Sequence, residues 1–159
     1  MIEVVEHRLL AAPALCVWQL LEDFGSIQRW WPADGRIRIA KVDIEGAGLG
    51  MIRHIYNHGA KHAVSERLDL LDSQSRTLVL SIIGTRPPGI TGYVAEGRVV
   101  DVAKNQCRMD YRALITTSGG DDEKVRSGIL KTWAVMFEGL ERTAQVNAQQ
   151  IEHTLSSQA

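Results

Sequence analysis

Cysteine is scarce in this chain, its charges nearly cancel, and no apolar run approaches the length of a membrane span. Each shortage removes a class of function. The two cysteines, Cys16 in a helical pattern and Cys107 in a strand pattern, stand outside any CxxC spacing and so give no metal site. They could pair only if the fold brought them together, and their apolar neighbours suit free buried thiols. A formal net charge of −1 gives no electrostatic reason to expect nucleic acid or an anionic membrane as partner. Glu3, Glu6 and Arg8 interrupt the first apolar residues, which denies them the core of a secretory signal, and the expected location is cytoplasmic. A sequential nucleophile motif is also missing, which argues against hydrolysis by a covalent route.

What is present is the composition of an ordinary globular protein, with 45% hydrophobic and 23% charged residues among 159. No linker or repeat divides it, so one domain over 1–159 is expected, large enough to bury roughly two thirds of the surface its unfolded form exposes. Ile2 to Leu10 reads as a strand, and Ala12-Pro13 opens a short helix whose apolar side is Val17, Trp18, Leu20, Leu21 and Phe24. Gly25 breaks it. Ser26 can then cap a second short helix, which Ile27, Trp30 and Trp31 fit and Pro32 stops.

From Arg36 to Thr117 the apolar period becomes two, with short breaks that divide the segment into six further strands. Short connections make them sequential antiparallel neighbours, and a seven-stranded antiparallel sheet must curl and cover one face. The cover is a C-terminal helix. Asp121, Asp122 and Glu123 favour its start, and Val125, Ile129, Trp133, Met136, Phe137, Leu140 and Ala144 form its stripe. The expected fold is α+β, with that sheet wrapped around the long helix, two short helices after the first strand, and a frayed tail near 156–159. Gly128 and Gly139 share a flank of the long helix and signal either close contact or room for a ligand.

The sharpest chemical signal is the hairpin from Met51 to Leu71. With His58-Gly59 as a two-residue turn, Arg53 opposes Val64 and Met51 opposes Glu66. One face then carries Met51, Arg53, Ile55, His62, Val64, Glu66, Leu68 and Leu70. An arginine and a glutamate on an apolar face imply a structural ion pair or a wet cavity. The inner face continues through Leu78, Leu80 and Ile82, then Tyr93, Ala95, Gly97 and Val99, then Cys107, Met109, Tyr111, Ala113 and Ile115. Its small residues Ala95, Gly97 and Ala113 suggest space. Gly46-Ala47-Gly48-Leu49-Gly50 lacks the lysine and hydroxyl residue of a phosphate loop and joins two strands, so it reads as a turn. His54, His58 and His62 are evenly spaced but do not converge, and no metal is expected.

Ala12-Pro13 followed by Val17-Trp18 and Asp23-Phe24-Gly25, then Trp31-Pro32, Gly46-x-Gly48-x-Gly50 before Ile52-Arg53, Glu66-x-Leu68 with Asp72 and Arg76, and the Pro88 to Tyr93 segment carry a resemblance. Over nearly its whole length the chain resembles the START-like (Bet v 1-like) superfamily, specifically the polyketide cyclase/dehydrase and lipid-transport group often labelled SRPBCC. The resemblance implies a helix-grip fold around a cavity that holds a hydrophobic small molecule, with Trp30, Trp31, Arg53, Glu66, Tyr93 and Tyr111 on or near it.

Two functions then stand open. As an enzyme, a polyketide cyclase would promote an aldol-type closure and dehydration, with Arg53 and Tyr93 stabilising an enolate oxygen and Glu66, or else His62, moving the proton. As a carrier or sensor, the same cavity would hold a lipid, quinone or other hydrophobic metabolite, its polar end on Arg53. Expected ligand contacts are Trp30, Trp31, His62, Leu68, Leu80, Tyr111, Trp133 and Phe137. No cofactor is required by either reading, and the chain is expected to be a monomer or homodimer.

Overall fold

In the computed structural model, which describes residues 1–159, strand β1 (Ile2–Leu10) is followed by helix α1 (Ala14–Glu22) and a 3₁₀ segment (Phe24–Arg29). Strands β2 (Ile39–Glu45), β3 (Ile52–Asn57), β4 (Val64–Asp72), β5 (Thr77–Ile83), β6 (Ile90–Ala103) and β7 (Gln106–Thr117) come next, and helix α2 (Asp122–Ser157) ends the chain. The strands form one antiparallel sheet in the order β1-β7-β6-β5-β4-β3-β2. Consecutive strands are neighbours except that β1 closes against β7, as the short connections require. Alternation decides the curl: β7 buries Cys107, Met109, Tyr111, Ala113 and Ile115 on the concave side, Tyr111 against Trp133 and Phe137 of the last helix, and turns Arg108, Asp110 and Arg112 away. This is the expected helix-grip arrangement.

Helix α2 starts where its acids stand. The Asp121 carboxylate accepts the Lys124 backbone N–H at 3.0 Å, and Asp122 and Glu123 occupy the first turn. At 1.5 Å per residue the helix is about 54 Å long; its middle buries Trp133, Met136, Phe137, Leu140 and Ala144. It continues to Ser157, past the point where fraying was expected. No helix is long and apolar enough to cross a membrane.

Local details depart from the sequence reading for identifiable reasons. Pro13 sits just before α1, its carbonyl accepting the Val17 N–H at 3.2 Å. The second short helix is a 3₁₀ segment over 24–29, kinked at Ser26, whose backbone donates to the Asp23 carbonyl in place of capping a helix. The β3–β4 turn is not two residues long: His58 donates its N–H to the Arg38 carbonyl, and Arg53 pairs directly with Glu66, Ile55 with Val64. This two-residue shift leaves Arg53, Ile55, Val64, Glu66 and Leu68 on their expected face. Between Leu68 and Leu70 a β-bulge reverses the alternation, so Leu70 is exposed and Leu71 turns inward.

Gly97 does not leave space, because a Cβ there would stand 2.8 Å from the Tyr111 ring, which fills the site. Ala95 and Ala113 are likewise fully packed. The glycines at 46, 48 and 50 form the expected turn, with φ of 78°, 67° and 84° that only glycine adopts easily.

Candidate functional site

The concave side of the sheet and the first half of α2 enclose a cavity of about 660 Å³, within the size range of small-molecule sites. Strand ends and turns border it: Asn57 at the end of β3 and Val64 at the start of β4, the Pro87–Gly89 turn, and the Thr117 to Lys124 segment. Ile39, Ile55, Val64, Ile90, Val125 and Ile129 give it apolar walls. At its floor five expected residues meet: Arg53, Glu66, Tyr93, Tyr111 and Trp133.

Strand pairing places the charges. Arg53 and Glu66 stand opposite each other, and Glu66 Oε2 accepts from Arg53 Nε at 2.7 Å and lies 2.6 Å from Nη2. Arg53 Nη1 donates to the Phe24 carbonyl at 2.9 Å, while its guanidinium lies 3.9 Å from the Phe24 ring centroid. The pair is thus an anchor for the 3₁₀ segment as well as part of the cavity floor. Its side chains are 8% and 16% exposed. Glu66 Oε1 makes no hydrogen bond with the protein.

Two phenols adjoin it. Tyr93 accepts from Trp133 Nε1 at 3.2 Å, and Tyr111 packs edge-on against the Trp133 ring at 4.7 Å. Burial pushes the Tyr93 phenol well above its ordinary range, the donor from Trp133 offsetting part of this, with the Glu66 charge adding to it. Tyr111 is raised well above as well, by burial first and then by neighbouring Tyr93 and Glu66. Both therefore stay protonated donors at neutral pH.

Trp31 also lines the cavity, its indole N–H donating to the Ile37 carbonyl at 2.8 Å. Trp30 does not; it is buried behind Trp31, with ring centroids 5.9 Å apart. Leu68, Leu80 and Phe137 belong to the packed core and form no part of the cavity wall. Phe137 instead carries the Arg8 guanidinium 5.2 Å from its ring. His62 is exposed in the connection between β3 and β4, because β4 begins only at Val64. His54 faces outward, bonded to Ser65 at 2.7 Å and Glu45 at 3.0 Å.

Sequence reasoning missed the wall residues Asn57, Pro87, Lys124 and Thr132. Period-two counting from Arg53 through Ile55 would have found Asn57, which its turn-forming neighbours disguised. The two helix glycines divide the expected roles. Gly139 presses on Trp30 and Pro32, whereas Gly128 faces the cavity with nothing within 4 Å of where its Cβ would be.

Several solved structures share this architecture. An uncharacterised protein from Bacillus thuringiensis superposes with a TM-score of 0.76 at 19% identity, covering 91% of this chain and 99% of that one. The Zhui aromatase/cyclase from Streptomyces sp. R1128 does so at 0.72 and 19%, covering 91% and 93%. Norcoclaurine synthase from Thalictrum flavum, as a point mutant bound to a transition-state analogue, gives 0.71 and 19%, covering 92% and 97%. At these identities the likeness shows the fold. No protein with a curated description matches the sequence. Residues 1–146, which include every strand, both short helical segments and all the cavity floor, match the family described as polyketide cyclase / dehydrase and lipid transport, and the chain belongs to that family.

Proposed function

We propose that the cavity takes a small apolar molecule bearing several carbonyl groups and that the protein promotes its aldol-type ring closure with loss of water. One observation carries this reading: a carboxylate with one uncommitted oxygen meets two protonated phenols at the floor of an otherwise apolar cavity. The carboxylate of Glu66 removes a proton from a carbon flanked by carbonyls, and the electron pair moves onto a carbonyl oxygen as an enolate. Tyr93, whose oxygen already accepts from Trp133, donates its own proton in a hydrogen bond to that enolate. The enolate carbon attacks a second carbonyl of the same molecule, and the new alkoxide takes the proton back from Glu66. Loss of a second α-proton and of hydroxide then releases one water and leaves a carbon–carbon double bond. Arg53 fixes Oε2 of Glu66, so Oε1 is the oxygen that works. The walls supply rate by holding the chain folded on itself.

A specific observation favours the alternative of a carrier for a lipid, quinone or other hydrophobic metabolite. Arg53 and Glu66 pair through Oε2, and Arg53 holds the Phe24 carbonyl, which is all that a structural pair needs to do. Incubation with a linear aryl tetraketone, followed by chromatography and mass spectrometry of the product, separates the two. An enzyme cyclises it, and Glu66→Gln keeps its affinity while losing turnover. Retained binding with no closure above background by the unaltered protein would leave the carrier.

A further inference from the structure

Tyr111 is 6% exposed, and its neighbours fix its ring. It stands opposite Gly97 on β6, where a Cβ would come within 2.8 Å of the ring, so the missing side chain of Gly97 is what lets the phenol occupy that place. Trp133 and Phe137 of α2 hold it edge-on, with ring centroids 4.7 Å and 6.3 Å away. All of this packing would serve a phenylalanine equally well. The hydroxyl is the part without a structural use: it makes no well-formed hydrogen bond with the protein, and it is not sealed off but opens on the cavity floor. Tyr93 reaches the same place from β6. Its oxygen accepts from Trp133 Nε1, a group that only donates, so its own proton is directed elsewhere. After burial itself, Tyr93 is the next influence on the Tyr111 phenol, so the two hydroxyls are neighbours, yet no well-formed hydrogen bond joins them. Two unspent donors side by side suit one acceptor between them, because a carbonyl oxygen has two lone pairs.

We infer that Tyr111 is a second donor to the ligand oxygen that Tyr93 holds, and that the two phenols together form a site for one ketone oxygen. The inference rests on the cavity taking a carbonyl compound, though not on whether turnover occurs there. Each nitrogen of Arg53 is already engaged, Nε and Nη2 by Glu66 and Nη1 by the Phe24 carbonyl, which leaves the phenols as the free donors of the floor. The Glu66 carboxylate beside them only accepts, so a hydroxyl of the guest goes to Glu66 and a ketone goes to the tyrosines. A guest that expels water from the floor must bring an acceptor of its own, or both hydroxyls lose their partners. Where ring closure occurs, two donors fixed in advance share the charge that develops as the ketone becomes an enolate, and neither gives up its proton.

The test is a matched pair of fused-ring molecules, 1-tetralone and tetralin, which differ by a ketone in place of a methylene. Calorimetric titration measures both against the unaltered protein, Tyr111→Phe and Tyr93→Phe. Each substitution should weaken 1-tetralone about tenfold, the loss of one hydrogen bond in a dry site, and leave tetralin within about twofold. Tetralin thereby reports that each variant is folded and that its cavity keeps its shape. Isotope-edited infrared spectroscopy of bound 1-tetralone gives a reading that a merely structural role would not move: the carbonyl stretch should rise toward its value in hexane in both variants. An unchanged ratio of the two affinities, or an unmoved stretch, in either variant overturns the shared oxygen site and leaves the cavity reading standing. Failure of both molecules to bind the unaltered protein overturns the two together. Absence of closure in the tetraketone assay with these shifts intact removes turnover alone and supports the site.

Discussion

Gly139 of α2 and the carbonyl of Trp30 meet where a side chain would otherwise stand: a Cβ on Gly139 would lie 2.3 Å from the Trp30 oxygen and 2.7 Å from Pro32 Cδ. The long helix thus docks on the segment after the 3₁₀ turn backbone to backbone. Gly128, three turns earlier, has open space at its Cβ position and faces the cavity. The same substitution therefore has opposite signs at the two sites. Gly128→Ala should gain up to about 1 kcal/mol from helix propensity alone. Gly139→Ala should lose about 1–3 kcal/mol net, because backbone and a proline ring cannot move aside as a flexible side chain would. Denaturant midpoints of the two variants check this, and a stabilised Gly139→Ala would show that the two segments are not in contact.

The Arg53–Glu66 pair makes a second prediction, about what breaking it costs. Arg53→Ala should lose about 3–5 kcal/mol, since it leaves the Glu66 carboxylate buried without its partner; the Phe24 carbonyl also loses its donor. Glu66→Gln should cost less, because the amide oxygen still accepts from Arg53. Replacing both by methionine should recover most of the loss of Arg53→Ala, as apolar substitutes for buried pairs commonly do. Urea unfolding of the three variants measures it; a double variant as unstable as Arg53→Ala would mean the Phe24 contact outweighs the ion pair.

Alternation and turn chemistry made the strand order, the long helix and the inward pair legible from residues alone, because each depends on local period. What stayed hidden depends on a third element. Nothing local to His58 announces that its N–H goes to Arg38, yet that bond lengthens the turn and moves Glu66 opposite Arg53. Small residues at Ala95, Gly97 and Ala113 looked like space because the Tyr111 ring that covers Gly97 comes from the neighbouring strand. Phe137 and Trp133 share a helix stripe four residues apart, and only the position of the cavity along α2 puts one in its wall and the other in the core. His62 fell out of the site for the same reason as the register: β4 starts only at Val64, four residues after the Ala60 at which a tight turn would let it begin.

The cysteines should be inert in the folded protein. Both are free and buried; burial raises the Cys16 thiol, and burial with the Asp101 charge pushes Cys107 up to about 11. At pH 8 neither offers an appreciable thiolate, the form that reacts. Ellman's reagent should label no thiol in native buffer and two in denaturant. Rapid labelling of one thiol in native buffer would place that cysteine at the surface.

Alkaline pH should destabilise the fold through the buried phenols at the cavity floor. Tyr93 and Tyr111 are raised above the ordinary tyrosine value of about 10 by burial, whereas in the unfolded chain they titrate near it. Above about pH 10 the unfolded state releases these protons and the folded state keeps them, so stability falls with each further unit until the folded phenols ionise. Below about pH 10 this contribution is fully present. Cys107 adds a smaller loss of the same sign that begins near 9 and ends near 11. Urea midpoints measured from pH 8 to pH 11 should therefore decline first gently and then steeply. Tyr111→Phe should flatten the steep part without affecting the gentle one, because it removes one phenol and leaves Cys107 in place. Tyr93→Phe should do the same from a lower starting stability, since it strips Trp133 Nε1 of its acceptor. If both phenylalanine variants fall in parallel with the unaltered protein, the proton release comes from elsewhere, and burial does not raise these two phenols above the ordinary tyrosine value.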